Sequence, residues 1–290
     1  MPVTLLSADL GAGQTPSVAW DRDFFYDSYP RIEQAFGARL DESLSPRGPS
    51  VLLQVVRELD LPPDSRVVDV GCGEGAHAFR LATHFGFRVL GIDPVQRHLD
   101  LAREARRSEV PEIGSRVSFE RGSATRIPVP DSSVDLVWCR DVIVHVEDPE
   151  EAMLEIARVL RPGAYAVLYS MVATDLLAPE EADQLFDVMG VVPSSADPRV
   201  LDDAIAASGL EVVETIDLAS EWGEWAQEQD GQAARSLLHL ARLLREPERY
   251  RAEFGGAAYD VMVGDCRWHV FRMMGKLAGR IDVLRRPARR

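Results

Sequence analysis

Val67-Val68-Asp69-Val70-Gly71-Cys72-Gly73-Glu74-Gly75 is the stretch that decides the fold. Val67 to Val70 is a short, mostly apolar run, as a buried parallel strand presents. Gly71, Gly73 and Gly75 follow at every second position, and the segment from Ala76 to Phe85 has helical composition. Strand, glycine turn and helix in that order let a backbone approach a bound nucleotide closely. Asp69 stands two residues before the first glycine, near the strand's carboxyl end, where open α/β sheets bind ligands. Taken alone, the glycines suit a bare tight turn as well.

The next landmark favours the nucleotide. Val89-Leu90-Gly91-Ile92-Asp93 reads as a second buried strand ending in a carboxylate. Asp93 follows the first glycine by roughly 20 residues, the offset at which an acid meets ribose hydroxyls in dinucleotide folds. A carboxylate accepts from two vicinal hydroxyls at once. Asp93 also suits a helix N-cap, with Pro94 at the first helical position. Two cofactor classes fit these residues. Gly71-x-Gly73-x-x-Ala76 satisfies the permissive NAD(P) fingerprint, and S-adenosylmethionine is the other.

Further along, strands are expected at 117–120, 134–139 and 164–170, and helices at 95–106 and 149–160. Asp148-Pro149-Glu150-Glu151 opens the last of these with an N-cap acid, proline at the first position and an acid at the third. The segment from Val51 to Leu59 reads as an amphipathic helix. A helix ends at Ala204 to Ser208 with Gly209 as its stop, and Leu210 to Leu218 reads as a strand. Alternating strands and helices indicate a parallel sheet covered on both faces.

The 290 residues allow one large domain, or one domain with a cap. A net charge of −15 opposes a phosphate backbone, so nucleic acid is excluded as a partner, although a local basic pocket can still hold a small anion. No apolar run has the length of a membrane span, and no secretory leader is apparent. Cys72, Cys139 and Cys266 are widely spaced, which opposes a disulfide framework and a zinc site and fits a reducing cytoplasm. No metal is expected. The basic tail of Arg285, Arg286, Arg289 and Arg290 reads as a solvated terminus.

Five ordered pieces carry a family resemblance. They are Val68-Asp69-Val70-Gly71-Cys72-Gly73-Glu74-Gly75; Gly91-Ile92-Asp93; Gly122-Ser123-Ala124 with Ile127-Pro128; Val134-Asp135-Leu136-Val137-Trp138-Cys139; and Leu160-Arg161-Pro162-Gly163-Ala164. The chain resembles the class I S-adenosylmethionine-dependent methyltransferases, specifically the small-molecule, ubiquinone-type group (methyltransferase type 11). The resemblance covers residues 50–175, and NAD becomes a distant second.

It implies an α/β fold: a Rossmann-like, doubly wound, mostly parallel seven-stranded sheet with an antiparallel last strand. An N-terminal helical lid and a helical cap insertion complete it. The expected divisions are residues 1–48 (N-terminal segment and lid, with Trp20, Phe24, Phe25, Tyr26, Tyr29 and Phe36), 49–218 (cofactor-binding core), 219–279 (substrate cap) and 280–290 (last strand and basic tail). Helical runs at 233–244 and 266–277 fall within the cap.

The resemblance also assigns a site. Amides of Gly71, Cys72 and Gly73 are expected to meet the methionine carboxylate of S-adenosylmethionine, and Asp69 its amino group. Asp93, followed by Pro94, takes the ribose. His98 lies near the adenine or is a partly exposed helix histidine. Ser123 and Ala124 stand where relatives often carry Asp-Ala, which weakens side-chain recognition of the adenine. Cys139, Arg140 and Asp141 close the fourth strand, and Arg140 and Asp141 either pair with each other or contact ligand. His145 is a candidate proton acceptor or a packing residue. Asp141 and, from the cap, His269 and Tyr259 are the further catalytic candidates, with Trp222, Trp225 and Trp268 as aromatic walls. The implied activity is methyl transfer to a small, fairly apolar metabolite on C, O or N, in biosynthesis. The other readings are an NAD-dependent oxidoreductase and a non-catalytic cofactor-binding protein. The oligomeric state stays open, a homodimer included.

Overall fold

The structure, a computed structural model, describes residues 22–288. It divides at Leu44 into two units, each described by itself. In the first, α1 (Arg22–Leu40) carries Pro30 in its interior and an Asp27–Arg31 ion pair of 2.7 Å. Trp20 and residues 1–15 lie outside the described residues.

In the second unit, α2 (Val51–Glu58) buries Val51, Leu52, Val55 and Val56, an apolar stripe at helical spacing. Then come β1 (Arg66–Val70), α3 (Ala76–Phe85), β2 (Arg88–Asp93), α4 (Gln96–Ser108), the short α5 (Pro111–Gly114) and β3 (Val117–Arg121). Next are β4 (Val134–Arg140), a 3₁₀ turn at Ile143–His145, α6 (Pro149–Val159) and β5 (Leu160–Ala173). α6 starts as its sequence directs, with the Asp148 carboxylate accepting from the Glu151 amide at 2.9 Å.

The chain continues through α7 (Pro179–Met189), a 3₁₀ turn at Pro193–Ala196, α8 (Pro198–Ser208) and β6 (Glu211–Ala219). Four helices follow, α9 (Glu221–Asp230), α10 (Gln232–Arg245), α11 (Pro247–Phe254) and α12 (Gly256–Met273), before β7 (Leu277–Arg285).

The sheet order is β3-β2-β1-β4-β5-β7-β6, and β7 runs antiparallel to both of its neighbours. The remaining pairings are parallel. This order departs from the all-parallel 3-2-1-4-5-6 sheet of the dinucleotide-binding fold. Period-two alternation sorts the strands' side chains onto two faces. Val67, Leu136 and Trp138 pack into one apolar core with α2 and α3. Val68, Val137 and Cys139 pack into the other with α6 and α8. After β1 the chain turns towards β2 and β3, and after β4 it turns the other way. The crevice at the carboxyl ends of β1 and β4 is therefore the switch point at which such sheets bind ligands.

Several expectations change. Asp93 does not cap a helix, and Pro94 is not its first residue: α4 starts at Gln96 with Val95 as its cap. The Asp93 carboxylate instead accepts from the Val95 amide at 2.8 Å, an Asx-turn that bends the chain before the helix begins. The expected helix at 266–277 is the second half of a longer α12 that ends at Met273, and β7 begins at Leu277 rather than Arg280. Helix α7 had no counterpart in the sequence reading.

The basic tail is not simply solvated. Arg285 pairs with Glu211 at 2.7 Å. Arg286 donates to Ser132 Oγ at 3.0 Å and to the carbonyls of Arg158 and Leu160. Arg289 and Arg290 lie outside the described residues. No helix among the described residues is long and apolar enough to cross a membrane.

Candidate functional site

The glycine turn is held from within. Gly71, Gly73 and Gly75 all take positive φ, at 69°, 52° and 89°, which only glycine adopts without strain. A Cβ on Gly71 would stand 2.2 Å from Val142 Cγ2. The Cys72 amide donates to Ile92 O (2.9 Å), the Gly73 amide to Asp93 Oδ2 (3.0 Å) and the Gly75 amide to Cys72 O (2.9 Å). These amides are therefore not the open cradle expected for a carboxylate, because the turn uses them to lock itself against β2. The Cys72 and Cys139 side chains are buried in the two cores, and burial pushes both thiols up, away from ionisation.

Asp69 is 2% exposed, and its Oδ2 has no hydrogen-bond partner. Burial raises its pKa to about 8, and the charge of Asp93 adds to the rise, against a backbone hydrogen bond from Ala78 and the charge of Arg140. A buried carboxylate oxygen without a donor is an expensive feature, and a cationic ligand group would relieve it.

Asp93 is 5% exposed, and each of its oxygens already accepts one backbone amide, with a further lone pair open on Oδ2 for a hydroxyl. His98 Nδ1 lies 3.3 Å from Asp93 Oδ1, so this half-exposed histidine engages the carboxylate. Beside the glycine turn, a cavity of about 380 Å³ is lined by Gly71, Pro94, Ser123, Ala124, Thr125, Val142 and His145, among others. Ser123 Oγ lies 3.2 Å from Thr125 Oγ1.

A second cavity, of about 340 Å³, also has His145 in its wall. Its other walls come from β4 (Arg140), the following Asp141, β5 (Tyr169), α9 (Trp222 and Trp225) and α12 (Trp268 and Arg272). Tyr169 and Trp222 stack with ring centroids 4.2 Å apart. Arg140 Cζ stands 5.5 Å from the Trp222 ring and 5.9 Å from the Tyr169 ring, within cation–π range. Arg140 also pairs with Asp141 at 3.4 Å and donates from Nη1 to His77 Nε2. An arginine can only donate, so His77 is neutral with its proton on Nδ1. Burial and the charge of Arg140 lower its pKa to about 4, in agreement.

Asp141 has φ 56°, an uncommon conformation that Asp tolerates better than most residues. Its burial in the cavity wall raises its pKa above the ordinary carboxylate value. His145 Nδ1 is 2.7 Å from the Gly190 carbonyl. That carbonyl can only accept, which assigns a proton to Nδ1 and makes Nε2 the nitrogen that carries the lone pair in the neutral ring.

Tyr259 and His269 are not brought into this cavity. Tyr259 donates to Leu243 O at 3.3 Å beneath Arg251, and His269 sits by Asp265 (3.7 Å) and Gln232 (3.5 Å). Conversely, His77, Tyr169 and Arg272 went unassigned in the sequence. His77 alone had a local signal, in its position just past the glycine turn. A hollow of about 480 Å³ at the amino ends of β1–β3 holds several arginines, but Arg88 and Arg116 there pair with Asp64, and Arg106 bonds to Gly114 O. Among the described residues no cluster of three or more His, Cys, Asp or Glu could hold a metal ion.

Residues 68–168 match a family model described as a methyltransferase domain. The chain is 30% identical over 183 residues to the methyltransferase GfsG of Streptomyces halstedii, across 62% of this chain and 65% of that protein. It is 28% identical over 188 residues to the 27-O-demethylrifamycin SV methyltransferase of Amycolatopsis mediterranei, across 63% of this chain and 68% of that one. The chain thus spans about two thirds of the length of these relatives. The fold is shared with the [4+2]-cyclase SpnF, at a TM-score of 0.64 and 20% identity over 92% of this chain and 95% of the other. The open Oδ2 of Asp69, the doubly anchored Asp93 and the matched segment agree: residues 68–168 are similar to a methyltransferase domain, on the Rossmann-like fold of the class I, S-adenosylmethionine-dependent type.

Proposed function

We propose that this protein transfers a methyl group from S-adenosylmethionine to a small organic acceptor, in the biosynthesis of a specialised metabolite. The observation that carries the proposal is the meeting of two cavities at one histidine. A nucleotide-sized cavity beside the glycine turn and an aromatic cavity under α9 and α12 both have His145 in their walls. When bound, S-adenosylmethionine supplies a methyl group that is already electrophilic.

The chain's own residues have the remaining tasks. Asp69 would hold the ammonium of the methionine tail and Arg140 its carboxylate, since the amides of Cys72, Gly73 and Gly75 are engaged elsewhere. Asp93 would accept from the ribose hydroxyls, while Ser123 and Ala124 wall the base. His145 Nε2 would take the proton that an O–H, N–H or C–H acceptor loses, and the bond to Gly190 O holds the ring in the receptive tautomer. Trp222, Trp225 and Trp268 exclude water and orient the acceptor, which for methyl transfer accounts for much of the acceleration.

The names of GfsG and of the rifamycin methyltransferase support the reaction, and the second also names a small organic acceptor. The NAD reading is set aside, because the antiparallel β7 and the matched domain both oppose it. A second reading keeps the fold and the cofactor without methyl transfer, and the likeness to a structure described as a cyclase favours retaining it.

Calorimetry with S-adenosylmethionine and S-adenosylhomocysteine tests the first step. Micromolar binding, weakened at least tenfold in Asp93→Ala, is expected, and no binding by the wild type would sink both readings. Release of S-adenosylhomocysteine with any acceptor from a metabolite panel decides between them.

A further inference from the structure

The aromatic cavity has an excess of unanswered donors. Arg140, Arg272, Trp222 and Tyr169 all line it, and both arginine Nε atoms, Trp222 Nε1 and the Tyr169 hydroxyl are buried behind its surface without a hydrogen-bond partner among the described residues. Arg140 has Asp141 at 3.4 Å. Arg272 has no ion pair among the described residues, and its guanidinium carbon stands 6.0 Å from the Trp222 ring. Two guanidinium groups therefore share a cavity with a single carboxylate, in a chain whose net charge is −15. Burying a donor unsatisfied costs about 1–3 kcal/mol, and more for a charged group. Such a cluster is retained where a ligand answers it.

We propose that Arg272, with Trp222 Nε1 and the Tyr169 hydroxyl, forms an anion subsite that binds a carboxylate or phosphate group on the methyl acceptor. This deepens the methyltransferase reading and rests on it for the word acceptor. With Arg140 assigned to the cofactor tail, Arg272 is the cation left for the second ligand. The acceptor is then a flat, apolar body carrying one anionic group, not the fairly apolar metabolite that the aromatic residues alone suggest. The stacked Tyr169 and Trp222 rings receive the body, while the donors along their edge fix its anionic end. A guanidinium fork suits both anions, since each offers two oxygens in one plane.

The test uses three probes of one shape: 2-naphthoate, 2-naphthyl phosphate and the neutral 2-naphthamide. Each is titrated calorimetrically into the full chain, with and without saturating S-adenosylhomocysteine. At least one of the two anions is expected to bind tenfold or more tighter than the amide, and which of them does so separates carboxylate from phosphate. In Arg272→Gln the preference should fall below threefold, in Arg272→Lys it should return in part, and S-adenosylhomocysteine affinity and thermal midpoint should be unchanged.

Equal affinity for acid and amide would overturn the proposal, as would a preference surviving in Arg272→Gln or binding by none of the three probes. Failure of S-adenosylhomocysteine to bind is a separate result. It removes the methyltransferase reading, while the titrations without it still decide whether the subsite exists.

Discussion

Asp69→Asn isolates the electrostatics of the cofactor site. In the folded chain this carboxyl is 2% exposed, lacks a partner on Oδ2 and has a pKa of about 8, with burial the first cause and Asp93 the second. In the unfolded chain its pKa is about 3.9. A raised folded pKa means that the neutral form is the one the fold prefers. Its contribution to stability is therefore complete below about pH 3.9 and is lost progressively as pH rises to about 8. Between pH 5 and pH 8 the loss is three units at about 1.4 kcal/mol each, or about 4 kcal/mol. Asparagine has nearly the same shape and does not titrate, so the variant lacks this slope.

Urea unfolding of both proteins across this range, read as the difference between them, cancels the other titrating groups. The stability of Asp69→Asn relative to wild type should rise by about 3–4 kcal/mol from pH 5 to pH 8. If an ammonium group then docks on Asp69, cofactor binding at pH 7 ionises a carboxyl that was mostly protonated. Calorimetry in buffers of different ionisation enthalpy should show close to one proton released by wild type and none by the variant. A relative change below about 1 kcal/mol refutes the burial argument. Absence of proton release refutes the pairing with the ammonium.

Other substitutions check the remaining parts. Gly71→Ala should destabilise by about 2–5 kcal/mol in urea, from about 1–2 for a left-handed alanine and about 1–3 for the clash with Val142. Adding Val142→Ala should recover only the second part. His145→Ala should lower turnover by about 10²–10⁴ while S-adenosylhomocysteine affinity holds, and unchanged turnover would leave the ring a packing role against Gly190. Arg280→Ala removes the cation 2.8 Å from the fully buried Asp282 and should cost about 3–5 kcal/mol, most of it restored by Asp282→Asn.

Much of this fold is legible residue by residue. The apolar run before Gly71, the glycines themselves and the cap Asp148-Pro149-Glu150-Glu151 place β1, α3 and α6 to within a residue, because each signal acts on the backbone beside it. Length and endpoints fail where tertiary contacts extend an element. β5 runs on to Ala173 because it pairs with β7 as far as Leu277, and α12 begins ten residues before its sequence signal. Helix α7 is packed under α12, where Val188 and Met189 come so close to Gly264 that a Cβ there would clash. That contact is made across some 75 residues of chain, out of reach of any window of sequence.

The sequence by itself determined the donor side of this protein: the sheet, the turn, the acids at 69 and 93, and so the class of cofactor. These residues act through their own stretch of backbone or that of the next strand, and their spacing is fixed by strand and helix geometry. Only the tertiary structure decided the acceptor side. Arg140, Tyr169, Trp222 and Arg272 come from four elements that meet because β7 returns between β5 and β6 and draws α9 and α12 over the sheet edge. Whether a buried donor is answered or left open depends on what faces it in space, so the charge of the cavity could not be read from a chain that is acidic in net charge.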